Sequence, residues 1–101
     1  MRPWVPWTYL DRQRRWVAMR RLLAREQDYF CAICGQPMRE GDRNIDHVWP
    51  QCEGGYNGLG NLTATHYDCN SAKANNLPTG CQIIALVNVC ARLDVPVRLK
   101  E

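Results

Sequence analysis

The chain of 101 residues contains one phenylalanine and only two histidines. Any chemistry that needs an imidazole must therefore use His47 or His66. No apolar run reaches the ~18 residues that a membrane-spanning helix requires. The N-terminus "MRPWVPWTYL" lacks the unbroken apolar stretch and small-residue cleavage site of a secretory signal. These absences lead us to expect a cytoplasmic protein with no membrane association. Internal repeats and low-complexity segments are also missing. A chain of this length makes one domain, and a domain so small often relies on a metal, disulfides or a partner.

Six cysteines stand against that short supply: Cys31, Cys34, Cys52, Cys69, Cys81 and Cys90. In a reducing compartment, closely spaced soft ligands point to metal rather than to disulfides. Cys31-x-x-Cys34 and His66-x-x-Cys69 are the two pairs at that spacing, separated by 31 residues. Three thiolates and one imidazole make a tetrahedral structural zinc site. The long spacer means that a whole structural unit must loop out between the two knuckles. Cys52, Cys81 and Cys90 have no paired spacing and read as free thiols, two of them packed on the last helix.

Net charge is +3, unevenly spread. Residues 1 to 25 hold seven arginines against Asp11 alone, whereas from residue 26 onward acids outnumber Lys and Arg by nine to six. A basic segment on a near-neutral body suits a polyanionic partner. The Pro- and Trp-rich residues 3 to 9 read as an irregular arm. From about Leu10 to Glu26, Trp16, Met19, Leu22 and Leu23 recur at helical spacing, with Arg14, Arg15, Arg21 and Arg25 largely on other faces. Trp4, Trp7 and Trp16 are read as core or oligomer contacts before base-stacking residues.

Between the knuckles, "NIDHVW" reads as a short strand that Pro50 ends. "QCEGGYNGLG" is a tight loop, and "NLTATH" is a second strand. Asp68 is expected to cap a short helix bearing Asn70 and Lys73. A last helix over 81–93 should present Ile83, Ile84, Val87, Cys90 and Ala91 on its apolar face, and Trp49 should lie in the core.

Asp46 and His47 are neighbours on the first strand, so their side chains leave it on opposite sides unless the backbone bends. A carboxylate can hold a divalent cation on a phosphate while a neutral imidazole takes a proton from water. That division of labour suits hydrolysis of a phosphodiester. Asn70, just beyond the second knuckle, can offer the cation an amide oxygen.

Taken together, Cys31-x-x-Cys34, Asp46-His47-x-x-Pro50, Gly54-Gly55, Asn61-Leu62 and His66-x-x-Cys69-Asn70 with Lys73 resemble the HNH endonucleases over about residues 29 to 77. The resemblance implies an α+β fold, a small ββα-metal core with a structural zinc ribbon, flanked by the N-terminal basic helix and a C-terminal helix. Residues 1–28 would be arm and helix, 29–77 the core, and 78–101 the last helix and tail.

By the same resemblance, His47 is the general base, Asp46 and Asn70 are ligands of a catalytic divalent metal, and Asn61 orients the His47 segment. His66 stands where the family usually has cysteine, and Asn70 where it often has histidine. The second change leans toward Mg²⁺ or Mn²⁺, with Ni²⁺ and Zn²⁺ as alternatives. The implied products carry 5′-phosphate and 3′-hydroxyl ends. DNA is the expected partner, contacted by Arg14, Arg15 and Arg21, with Lys73 either on the scissile strand's backbone or solvated. Some small family members act beside a phage terminase, which makes a terminase subunit a further candidate partner. A non-catalytic zinc-ribbon adaptor and a subunit of a restriction or toxin system are the competing readings.

Overall fold

The structure, a computed structural model, describes residues 9–101. The expected arm, with Trp4 and Trp7, lies outside those residues apart from Tyr9. The first helix, α1, spans Tyr9–Glu26. Strand β1 (Arg43–His47) pairs antiparallel with β2 (Leu62–His66), setting Asp46 opposite Thr63 and His47 opposite Leu62. Helix α2 (Tyr67–Lys73) follows β2 without a linker, and α3 (Gly80–Leu93) comes after a short turn. The small α+β domain expected from the sequence is what forms.

Its core is thin. Leu23 and Ala24 of α1, Met38, Ile45, Leu62, Ala64 and Val89 pack as one cluster, with Val48, Leu86 and Cys90 as a second. A fully buried Leu contributes about 1.5–3 kcal/mol, so a core of this size leaves the fold dependent on further ties. One such tie is Gln27, just past α1. Its amide donates to the Ala64 carbonyl at 2.8 Å and accepts from the Ala64 N–H at 2.7 Å, so a side chain completes the ladder on the open edge of β2.

The structure corrects three details of the sequence reading. Strand β1 stops at His47, two residues earlier than the apolar run suggested. His66 holds the N-cap position of α2 without a side-chain capping bond, while Asp68 lies in the first turn, where its charge favours the helix dipole. On α3 the inward face carries Gln82, Leu86, Val89 and Cys90, while Ile84 (63% exposed), Val87 and Ala91 face outward. A buried glutamine at the start of that helix hides the true phase of its apolar stripe. Cys90 is buried as expected, whereas Cys81 and Cys52 are exposed.

Candidate active site and metal centre

The Sγ atoms of Cys31, Cys34 and Cys69 and a ring nitrogen of His66 lie within 4.8 Å of one another. Two loops bring them there. The first knuckle is closed by a bridge between Phe30 and Pro37, and the second sits at the β2–α2 junction. His66 Nδ1 is 3.3 Å from Cys34 Sγ and 3.8 Å from Cys69 Sγ, while Nε2 is 3.0 Å from the Pro37 carbonyl. Only an N–H can satisfy a carbonyl, so Nε2 carries the hydrogen and the Nδ1 lone pair faces the thiols. Donor set and tautomer both fit a structural zinc.

Electrostatics separate Cys31 from Cys69. Burial opposes ionisation of Cys31, but N–H donors from Cys34, His66 and Ile33 outweigh it and bring the thiol down to about 7. Burial and the neighbouring Cys34 and Cys31 sulfurs push Cys69 up to about 12. Burial also works against the His66 cation, yet the Pro37 carbonyl and the adjacent Cys31 raise its pKa above the usual value. With no ion present, Cys31 ionises before Cys69. Zinc must therefore displace protons as it binds.

A second centre lies at the C-terminal end of β1. Asp46, His47 and Asn70 line one cavity of about 300 Å³, together with Pro50, Cys52 and Asn75. Asp46 and His47 share that cavity although they are consecutive residues of β1. The Asn70 amide N–H₂ lies 3.4 Å from the Ile45 carbonyl, which turns its oxygen away from that carbonyl. His47 Nε2 is 2.9 Å from Asn57 Oδ1, and its ring lies against the Trp16 indole of α1, centroids 6.2 Å apart at 25°.

Asn61 ties the intervening loop shut. Fully buried, it accepts from the Trp49 N–H at 2.7 Å and donates to the carbonyls of Trp49 (3.0 Å) and Tyr56 (2.8 Å). The Val48 N–H donates to the Asn61 carbonyl at 2.8 Å, so this residue grips the segment just after His47 through backbone and side chain alike. Gly55 is required at the closure, since a Cβ there would sit 1.9 Å from the Trp49 oxygen. Trp49 itself is half-buried, its indole Nε1–H donating to the Glu53 carbonyl, and not in the core.

Lys73 is the main departure from the expected site. It is neither solvated nor placed to meet a DNA backbone: it is buried, and its Nζ donates to Asp46 Oδ2 at 2.6 Å and to the carbonyls of His47 (3.0 Å) and Val48 (3.2 Å). A long cationic side chain one turn beyond Asn70 reaches both carbonyls at the end of β1. Gln82 donates to the same Asp46 oxygen at 2.6 Å and to Thr63 Oγ1 at 3.1 Å. Gln82, Asn57 and the Trp16 contact were not foreseen. A polar residue breaking the apolar stripe of α3 was the one available signal.

The donors at this centre suit a hard divalent cation. All the contacts named for Asp46 fall on Oδ2, and the carboxylate and the Asn70 amide oxygen supply oxygen ligands of the kind Mg²⁺ accepts. The Lys73 ammonium, 2.6 Å from Asp46 Oδ2, offsets the carboxylate charge.

Of the expected DNA contacts, Arg14 and Arg21 lie along one groove on α1 with Gln13, Val17 and Ala18. Arg21 continues into a second groove with Arg25, Tyr29, Glu40 and Arg43. Arg15 is exposed and lines neither groove.

Two of three comparisons place this chain among known proteins. No curated protein matches the chain in sequence. Among solved structures, the crystal structure of the Type II-C Cas9 enzyme from Actinomyces naeslundii resembles it with a TM-score of 0.57 and 22% identity over 86% of the chain. The chain corresponds to 14% of that protein's length, and a likeness at this identity speaks for the fold alone. A family model described as HNH endonuclease matches residues 31–82, just over half the chain, and includes both knuckles, Asp46, His47, Asn61 and Asn70. The chain belongs to the HNH endonuclease family.

Proposed function

We propose that the protein is a metal-dependent DNA endonuclease that hydrolyses phosphodiester bonds to leave 5′-phosphate and 3′-hydroxyl ends. The observation that supports this most is the shared cavity of Asp46, His47 and Asn70, which sets a proton acceptor beside two oxygen donors. His47 takes a proton from a water molecule as its oxygen attacks phosphorus, and the bond to the 3′ oxygen breaks. Asn57 accepts the Nε2 hydrogen, which leaves the Nδ1 lone pair for that proton. Asn61 and Lys73 keep the end of β1 in place through its backbone. Asp46 and Asn70 would hold the divalent cation, which when bound neutralises charge building on the leaving oxygen. The Cys31–Cys34–His66–Cys69 centre would hold zinc and stabilise the scaffold.

Arg14, Arg21, Arg25 and Arg43 line the adjoining grooves of α1 and suit the DNA backbone, with Lys73 no longer among the contacts. A terminase subunit as partner is carried by the family resemblance alone.

Purified protein incubated with supercoiled plasmid, across Mg²⁺, Mn²⁺, Ni²⁺ and EDTA, tests the reading. Cleavage that needs a divalent ion and falls on the order of 10² to 10⁴-fold in His47→Ala supports it. DNA binding without cleavage under every ion would favour the adaptor.

A further inference from the structure

The hydrogen bond from His47 to Asn57 raises the question of what holds Asn57. It is exposed and sits at the tip of the loop joining β1 to β2. Asn61 closes that loop from inside. From outside it is held by the C-terminal tail, residues that lie beyond the 31–82 family match.

The tail runs along the loop like an added strand. Tyr56 N–H donates to the Leu99 carbonyl at 2.9 Å, Arg98 N–H to Gly60 at 3.0 Å and Glu101 N–H to Gly54 at 3.0 Å. Gly55 and Lys100 form an antiparallel bridge. The Arg98 guanidinium lies 4.2 Å above the Tyr56 ring and the Lys100 ammonium 4.5 Å above the Trp49 ring. Leu99 packs on the cluster of Val48, Leu86 and Cys90. At Gly60, with φ +108, an added Cβ would come within 2.7 Å of the Pro96 oxygen, so the tail lies against bare backbone. These bonds brace the loop on both sides of Asn57.

We propose that Asn57 is the positioning residue for His47 and that the tail from Val95 to Lys100 is part of the same device, fixing the loop so that Asn57 Oδ1 sets the ring's orientation and tautomer. An amide oxygen can only accept, so it selects the Nε2–H form and keeps the lone pair on Nδ1. A ring free to turn or to exchange tautomers spends part of its time with a hydrogen where the base must be. The inference rests on His47 being the proton acceptor.

Long-range ¹H–¹⁵N spectra of His47 in mildly alkaline buffer read the tautomer without turnover, and plasmid cleavage by the full-length protein gives kcat and KM. The parent should show the Nε2–H form. Asn57→Ala should show mixed tautomers and a kcat lower by roughly 10- to 100-fold, part of the ~10²–10⁴ a general base supplies, with KM unchanged. Asn57→Asp, which keeps an acceptor, should restore both. Arg98→Pro removes the N–H on Gly60 and should move tautomer and kcat in the same direction. If that variant does not fold, Arg98→Ala with Lys100→Ala removes only the exposed cations and should do so more weakly.

An Nδ1–H parent, or Asn57→Ala with unchanged spectrum or kcat, overturns the positioning role. Tail variants indistinguishable from the parent overturn the tail's part. His47→Ala cleaving at the parent rate would instead overturn the underlying assignment of the base, a result the spectra cannot produce.

Discussion

Replacing Lys73 with Met should destabilise the protein and, at the same time, tighten its hold on a divalent cation. Met keeps most of the buried stem but removes the ammonium, so the change tests charge rather than volume. The side chains of Lys73 and Asp46 are only 6% and 7% exposed, and the ammonium has acceptors at 2.6, 3.0 and 3.2 Å. After substitution the Asp46 carboxylate keeps Gln82 as its named donor, and two carbonyls at the end of β1 lose theirs. Stranding one member of a buried pair costs about 3–5 kcal/mol. In a chain of this size each kcal/mol moves the melting temperature by ~4–8 °C, so a drop of at least about 12 °C is expected in zinc-loaded protein. Asp46→Asn with Lys73→Met should recover part of the loss, because no unpaired charge is left inside. Mn²⁺ titrated without DNA should bind the single variant more tightly than the parent, and bound ion should raise that variant's melt. A Lys73→Met protein melting within ~1 kcal/mol of the parent would refute the buried-pair argument. Equal destabilisation in the Asp46→Asn background would assign the cost to the backbone carbonyls instead.

Other consequences can be checked independently. Purified protein should carry about one zinc per chain, and Cys34→Ala should melt well below the parent rather than merely slow cleavage. In zinc-free protein the depressed Cys31 thiol stabilises the fold above pH 9, and that contribution is lost as pH falls through about 7. Cys69, raised to about 12, works the other way: its unfolded thiol ionises near 9 while the folded one does not, so its contribution is lost as pH rises above about 9, which confines the Cys31 effect to pH 7–9. His66, raised above 6.5, acts in the opposite sense to Cys31 at the acid end and flattens the curve there. Melts in chelator that improve steadily from pH 9 to pH 7 would contradict this. Arg14, Arg21 and Arg25 changed to Gln should weaken DNA binding by His47→Ala protein and flatten log K against log salt by about 0.9 for each phosphate no longer neutralised. An unchanged slope would place those arginines away from the DNA.

The parts legible in the sequence were those with local spacing. Two x-x knuckles, an Asp-His pair before a proline and a helical stripe are all readable within a few residues. Helix α1 was placed to within one residue of its start, and both strands overlapped their readings. What escaped depends on chain ends and helices meeting the site from a distance. Asn57 is one of several asparagines in or near loops, and only the folded loop puts its oxygen 2.9 Å from His47. Lys73 was located correctly on a helix, but its direction follows from the Asp46 carboxylate and two carbonyls that only the folded chain brings to it. Gln82 misled the phase of α3 because a buried amide is exceptional unless it has partners, and its partners lie on β1 and β2.

Those long-range residues share a pattern. The family match covers 31–82, yet the site draws on three elements at or beyond its limits: α1 supplies Trp16, the first turn of α3 supplies Gln82, and the tail braces the loop of Asn57. A two-stranded hairpin with one short helix has too little core to hold a buried carboxylate and an imidazole at fixed distances. The Cys31–Cys34–His66–Cys69 cluster, which fits zinc, lies at one end of that unit. The opposite end, around Asp46 and His47, lies away from that cluster and is closed by side chains instead. Asn61, Lys73 and Gln82 all converge on residues 46 to 49, and each is buried. The scaffold can therefore lose stability at the zinc end and lose catalytic geometry at the other by separate substitutions. Destabilisation without a change in the His47 spectrum, and a changed spectrum without destabilisation, should both be obtainable from single variants.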